Sequence, residues 1–478
     1  MIQTGSATEV DLSAPAGLPG DDVGSLLIPP EAPFDPFGSP FTTVPDPTPA
    51  DTGPLSLDAV LSPYVIVFCV AFLIAYIFTP IMRTIAVSYG IVDEPDTERK
   101  IHRRPVAYLG GVAVFLGFVA GLAVCQRFSE NHHPEVAGLV KVPLAILGAS
   151  CLIVLLGLFD DLKGARPKLK ILGEVAAAGI LLAAGIGTNL ADQVVFYGFG
   201  WLDLHLGLEV PAGLEEGLAF ILSAGLVVAL VVFCCNASNL MDGLDGLCGG
   251  ITVFIALGLI AISAHLAMTG PVTRAPQDAV PLVLSIALLG AVLGFLPFNF
   301  NPASIFMGDT GSLLMGFAVA TVLILLGEVG AKWMMGGLVM FSLPMLDTFL
   351  AFARRFVNKR PFFAADKHHF HHQLVSRGLS IRRAVVLSYA LTIFFVASGA
   401  LLVFLRTRYA VAFYLVLFGC IIVAAYKMGM IHERSGRRGT VAEGERPAGS
   451  GRPVEEVEGT LLDDPEDDDE PSLLVEAR

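Results

Sequence analysis

Charge is what this chain has least of. Only 15% of its 478 residues are Asp, Glu, Lys or Arg, 54% are hydrophobic, and the mean hydropathy is +0.70. Ordinary soluble domains are about 25% charged, so the composition excludes a soluble enzyme and puts most of the chain in a bilayer. Residues 1–60 contain no Lys or Arg at all. With no basic n-region and no early apolar run, that stretch is not expected to be a signal peptide. Its Pro, Gly, Asp and Ser predict a disordered acidic extension. None of the seven cysteines forms a CxxC pair. Cys69, Cys125, Cys151, Cys234, Cys235, Cys248 and Cys420 therefore read as small buried hydrophobes, not as disulfides or ligands. No Gly-Lys-Ser/Thr P-loop, no EF-hand spacing and no repeat of 20–50 residues occurs.

Long apolar runs are what the chain has. A membrane helix needs roughly 20 mostly apolar residues. Eleven windows qualify, at about 62–82, 107–126, 143–159, 169–188, 217–235, 247–269, 280–296, 311–328, 332–350, 385–405 and 409–427. The expected fold class is an all-α integral membrane protein with about eleven transmembrane helices. Residues 61–428 form the multi-span domain, and 429–478, with the acidic run Asp463 to Glu470, form a disordered tail. With the N-terminus outside, the inside loops carry seventeen Lys and Arg and the outside segments six. The positive-inside rule then puts the C-terminal tail in the cytoplasm. The loop from Asn189 to Glu216 has short apolar patches and is expected to form a small hairpin or an interfacial segment.

Polar residues beside membrane spans are functional candidates, and here they fall at the ends of the inside loops. The run Asp93 to Pro105, with Arg99, Lys100 and His102, suits either phosphate binding or a positive-inside anchor. Asp160 and Asp161 end a span, where adjacent carboxylates call for a cation or a proton, or else cap a helix beginning near Lys163. In NASNLMDGLDGL, a helix would put Asp242 and Asp245 on one face, and Asn236 and Asn239 likewise. In NPASIFMGDTGS, Asp309 enters the next span, and Phe306 either stacks on a base or packs. A hard cation such as Mg²⁺ uses one or two carboxylates and leaves positions for phosphate oxygens. The segment DKHHFHH invites zinc, since His368 and His372 are four apart. The surrounding Arg and Lys favour phosphate instead.

Together these motifs resemble the polyprenyl-phosphate N-acetylhexosamine-1-phosphate transferases, from about Ser62 to Tyr426 and in the same order. The strings NASNLMDGLDGL and PASIFMGDTGS carry the resemblance. It implies Mg²⁺ (or Mn²⁺), a UDP-sugar donor, a polyprenyl phosphate acceptor, release of UMP, and a bacterial cytoplasmic membrane with the site facing inward. It implies that Asp160 and Asp161 lie near the acceptor phosphate, with Asp160 also near the metal. Asn236, Asn239, Asp242 and Asp245 would serve nucleotide binding and catalysis, Phe306 would stack on uracil, and Asp309 would hold the metal. His369, His371 and His372 look like the HxHH element of the GlcNAc branch, which favours GlcNAc over MurNAc-pentapeptide. No nucleic acid is expected as partner, and a homodimer is compatible with the pattern. Ala107 and Tyr108 depart from the family, where proline and a basic residue are common. An ion-coupled transporter would instead need acids at the midplane and a repeated broken-helix pattern. A polyprenyl diphosphate phosphatase would have no need of the Asn, Asp and Phe306 nucleotide cluster.

Overall fold

The computed structural model describes residues 57–93, 105–131, 142–206, 211–269, 279–357, 369–405 and 407–427, all within one compact unit. Residues 1–56 of the expected extension, the expected tail, and the residues Arg99, Lys100 and His102 lie outside these, whereas 57–60 are helical. A short helix α1 (Leu57–Leu61) and a 3-10 turn lead into α2 (Val65–Ser88). A two-stranded antiparallel ribbon, β1 (Val92–Asp93) and β2 (Val106–Ala107), then pairs Val92 with Ala107 and Asp93 with Val106. Helices follow as α3 (Gly110–Asn131), α4 (Leu144–Lys163), α5 (Pro167–Ala183) and α6 (Asp192–Leu206). The next are α7 (Ala212–Met241), α8 (Leu247–Thr269), α9 (Val280–Asn299) and α10 (Gly308–Val329). The chain continues with α11 (Ala331–Met340), α12 (Ser342–Val357), α13 (Phe370–Ser376), α14 (Ile381–Phe404) and α15 (Thr407–Lys427).

Each window expected from the sequence overlaps a helix, although the second starts in strand β2, the fourth runs past the end of α5 at Ala183, and the ninth is broken at Phe341. Among the described residues, eight helices are long and apolar enough to cross a membrane by themselves, and α11 with α12 makes a ninth if that pair is one span. The pair bends by 75° at Phe341. α5 has 17 residues and is shorter than a full crossing. Of the two expectations for the segment after Asn189, the hairpin is replaced by the helix α6.

The core is set by close helix contacts. Lipid tails are as apolar as leucine, so association inside a bilayer depends on packing rather than on expelling water. Small residues let backbones meet. Gly290 and Gly294 of α9 lie on the backbone of α2 near Phe68 and Phe72, and Gly117 and Gly121 of α3 lie on Ala71, Ala75 and the Val67 carbonyl of the same helix. A Cβ at Gly294 would overlap the Phe72 carbonyl oxygen. α9 and α10 are accordingly the most enclosed spans, with 89% and 83% of their apolar windows buried, against 22% for α2. Cys125, Cys234, Cys235 and Cys248 are buried as expected, but Cys69 and Cys151 are exposed on the helix surface. Apolar side chains on that surface suit lipid, so exposure there carries no penalty.

Candidate functional site

Helices α4, α7 and α9 end where α5, α8 and α10 begin, so their polar termini share one end of the bundle. Two loops are laced together there. Asp245 Oδ2 accepts from Asn301 Nδ2 at 2.9 Å and from the Ala303 amide at 3.0 Å. Asn299 Oδ1 accepts from the Gly246 amide at 3.1 Å, and its Nδ2 donates to the Ile305 carbonyl at 3.0 Å. Helix α7 stops at Met241, with Asp242 as its C-cap. Asp242 and Asp245 therefore do not share a helical face: the helix has ended before them, and the chain turns on through Gly246 at φ +76°. Asp245 is a loop clamp. Asp242 is half-buried and its carboxyl bonds to no other described residue. Burial, then the charges of Asp309, Asp161 and Asp245, pushes it well above the usual carboxylate range.

The adjacent carboxylates of α4 have separate tasks. Asp161 faces the N-terminus of α10, which has no capping side chain of its own. It accepts from the Asp309 amide at 2.7 Å, the Thr310 amide at 3.0 Å and the Thr310 hydroxyl at 2.6 Å. Those amides are among the free donors of a helix start, and the positive end of the helix dipole favours the anion. Gly157, one turn earlier, lets α4 touch the backbone of Asp309 and Thr310. Gly308, at φ +66°, leaves room for the Asp161 carboxylate, which a Cβ would meet. Asp161 thus caps α10, not a helix starting near Lys163. Asp160 points elsewhere: its Oδ1 accepts from the Ala165 amide at 2.5 Å, and its Oδ2 is 2.5 Å from Lys170 Nζ.

Lys170 also contacts Asp309 Oδ2, so one ammonium sits between two carboxylates contributed by α4 and α10. Asn239 Nδ2 holds the other Asp309 oxygen at 2.8 Å and reaches the Ser312 hydroxyl at 3.0 Å. Asn236, one turn back, donates at 2.8 Å to Glu174 of α5, which is fully buried. Among the described residues no group of three or more His, Cys, Asp or Glu is placed to share one metal ion. Asp160 and Asp309 nonetheless suit a hard dication: they already share one cation, and Mg²⁺ binds through one or two carboxylates with phosphate oxygens and water completing its shell.

The ribbon brings its residues to the same end. The Phe306 amide donates to the Ala107 carbonyl at 2.8 Å, and the amides of Gly110 and Gly111 donate to the carbonyls of Phe306 and Met307, both at 2.9 Å. The Tyr108 ring meets Phe306 edge-on at 6.1 Å. Phe306 is half-buried and so keeps some accessible face.

The histidines come from α13. His371 has no exposed surface and lies against Gly243, where a Cβ would overlap its Nε2. Neither ring nitrogen has a hydrogen-bond partner among the described residues. Burial, with His372 beside it, pushes its pKa down to about 3. His371 thus packs against Gly243 with both ring nitrogens enclosed. His372 is half-buried, its ring 4.3 Å from that of His371. His369 is nearly buried, and its Nδ1 lies 3.1 Å from Asp347 Oδ2.

Lys170, Glu174 and Asp347 escaped the sequence reading. Lys170 counted only as an inside charge. Glu174 and Asp347 each interrupt an apolar window, a signal that was available, because a carboxyl at such a place is a functional candidate by default.

The model of the family described as glycosyl transferase family 4 matches residues 143–327. A Bacillus subtilis protein named "Probable undecaprenyl-phosphate N-acetylglucosaminyl 1-phosphate transferase" is 33% identical over 349 residues, 72% of this chain and 87% of the relative. A decaprenyl-phosphate N-acetylglucosaminephosphotransferase of Mycobacterium tuberculosis is 34% identical, over 74% of this chain and 85% of the relative. A phospho-N-acetylmuramoyl-pentapeptide-transferase of Bacillus subtilis is 33% identical, over 68% and 91%. With identity at this level across nearly the whole of such relatives, on a multi-pass helical bundle whose polar termini converge at one end, the chain belongs to the glycosyl transferase 4 family of polyprenyl-phosphate N-acetylhexosamine-1-phosphate transferases.

Proposed function

We propose that the protein transfers GlcNAc-1-phosphate from UDP-GlcNAc to a polyprenyl phosphate, releasing UMP, as the first membrane step of a cell-envelope polysaccharide. The site would face the cytosol across a bacterial inner membrane, in line with the excess of Lys and Arg on that side. The observation that carries the reading is the cation seat between Asp160 and Asp309, with Asn239 fixing the orientation of Asp309.

In the reaction an oxygen of the acceptor phosphate attacks the sugar-bound phosphorus, and the bond to the UMP oxygen breaks. A phosphate monoester has its second pKa near 6, so the acceptor is largely dianionic at neutral pH and needs little deprotonation. Repulsion between that dianion and the diphosphate is the larger obstacle. Mg²⁺ bound by Asp309 and Asp160 would supply charge neutralisation at the diphosphate and the leaving UMP. Lys170 then moves from bridging the carboxylates to pairing with phosphate oxygens. Asp161 holds Asp309 in place through the start of α10. Burial and the neighbouring carboxylates hold Asp242 toward its protonated form. Phe306, with Tyr108 at its edge, offers the ring face for uracil, and Arg99, Lys100 and His102 supply positive charge to the acceptor or donor phosphates.

Purified protein incubated with Mg²⁺, polyprenyl phosphate and a panel of UDP-sugars tests the proposal by UMP release. UDP-GlcNAc should be the preferred donor, and chelation should stop the reaction. Preference for UDP-MurNAc-pentapeptide would reassign the donor. No UMP from any UDP-N-acetylhexosamine would refute the transferase assignment for this chain.

A further inference from the structure

The device that orients the histidine segment lies outside it, on α12. Asp347 is 1% exposed and uses both carboxylate oxygens on the start of α13. Oδ1 accepts from the Phe370 amide at 2.7 Å, and Oδ2 lies 3.1 Å from His369 Nδ1. An ionised carboxylate is acceptor-only, so the ring nitrogen facing it must carry a proton. His369 Nε2 is then the free end of the ring, and it makes no hydrogen bond to a described residue. The His369 and His371 rings are stacked with planes 8° apart, and His371 is seated on Gly243 next to Asp242. Orientation of the His369 ring is thereby tied to the loop that carries the carboxylates.

We propose that Asp347 is a positioning residue for donor recognition: it holds the proton of His369 on Nδ1, so that Nε2 keeps its lone pair and accepts from a hydroxyl or the N-acetyl N–H of the donor sugar. This rests on the transferase reading above. The carboxylate–imidazole pair settles which nitrogen is available, a property that packing alone would leave to chance.

The diagnostic variant is Asp347→Asn. Its amide oxygen must stay on the Phe370 N–H, so its NH₂ group is turned to His369 Nδ1. That nitrogen must then accept, and the proton moves to Nε2. In ¹⁵N-histidine NMR of the full-length protein, with the His369 signal assigned by its loss in His369→Gln, wild type should show a protonated Nδ1. Asp347→Asn should show the proton on Nε2. In kinetics the same variant should lose about five- to a hundredfold in kcat/KM for the UDP-sugar, the range for a polar group left without its partner when a protonated Nε2 faces another donor. The KM for polyprenyl phosphate and the melting temperature should hold. An unprotonated Nδ1 in wild type overturns the proposal, and that measurement does not depend on whether any variant folds. Wild-type kcat/KM in Asp347→Asn overturns it equally. If wild type itself released no UMP, the transferase reading would fall while the NMR result still decided the proton's place.

Discussion

Replacing Asp161 tests whether the paired carboxylates of α4 have the separate tasks that their contacts assign. Its carboxylate accepts three hydrogen bonds at 2.6–3.0 Å from Asp309 and Thr310, and Thr310 is fully buried. A hydrogen bond to a charged group contributes about 1.5–3 kcal/mol. Three bonds to one carboxylate are not independent, so Asp161→Ala should destabilise by about 3–5 kcal/mol, less than their sum. Asp161→Asn should be nearly as harmful, because it removes the anion from the helix start and presents one N–H group to other N–H groups. If half of that loss appears as displacement of Asp309, kcat/KM falls by about tenfold to a hundredfold. Asp160→Asn should behave differently. It retains an oxygen for the Ala165 amide and should melt close to wild type, yet lose transfer because one carboxylate of the cation seat is gone. The assay is thermal unfolding in detergent beside UMP release with titrated Mg²⁺. Equal melting temperatures and equal residual activities for Asp160→Asn and Asp161→Asn would refute the division.

Asp309→Asn should abolish turnover at any Mg²⁺ concentration without unfolding the protein, and near-normal release of UMP at saturating Mg²⁺ would remove Asp309 from the metal role. His371 has its pKa lowered from 6.5 to about 3, so its neutral form stabilises the fold fully above the unfolded value, and that contribution is lost as pH falls through 6.5 toward 3. At pH 5 the loss is about 2 kcal/mol, and His371→Leu should flatten this part of the pH–stability curve; an unchanged slope would rule out His371 as its source. Gly243→Ala should impair transfer because its Cβ would overlap the buried His371 ring, and His371→Ala in the same chain should recover part of the loss; additive defects would mean the two do not touch. Cysteine labelling from outside should reach a site near Asp203 and not one near Lys359, and the opposite pattern would invert the topology.

Membrane class, helical windows and family were all legible in the sequence, for one physical reason. Backbone in lipid must satisfy its own hydrogen bonds, so apolar runs become helices wherever they occur. The polar motifs were legible because polar groups next to such runs have few structural uses. Their individual tasks were not. Asp160 and Asp161 are adjacent in sequence and look equivalent, but a helix turns by about 100° per residue, which sends one to Lys170 and the other to the start of α10. Asp242 and Asp245 looked like a helical pair until Met241 ended the helix. Lys170 appeared as a topological charge because Asp309, the partner that makes it a bridge, lies 139 residues away in the chain. Asp347 likewise meets the histidine segment only because α12 bends away from α11. Local periodicity and composition determined which residues were candidates. The crossing of α4, α5, α7 and α10 at one end of the bundle decided which of them hold a cation, which hold a helix, and which hold a loop.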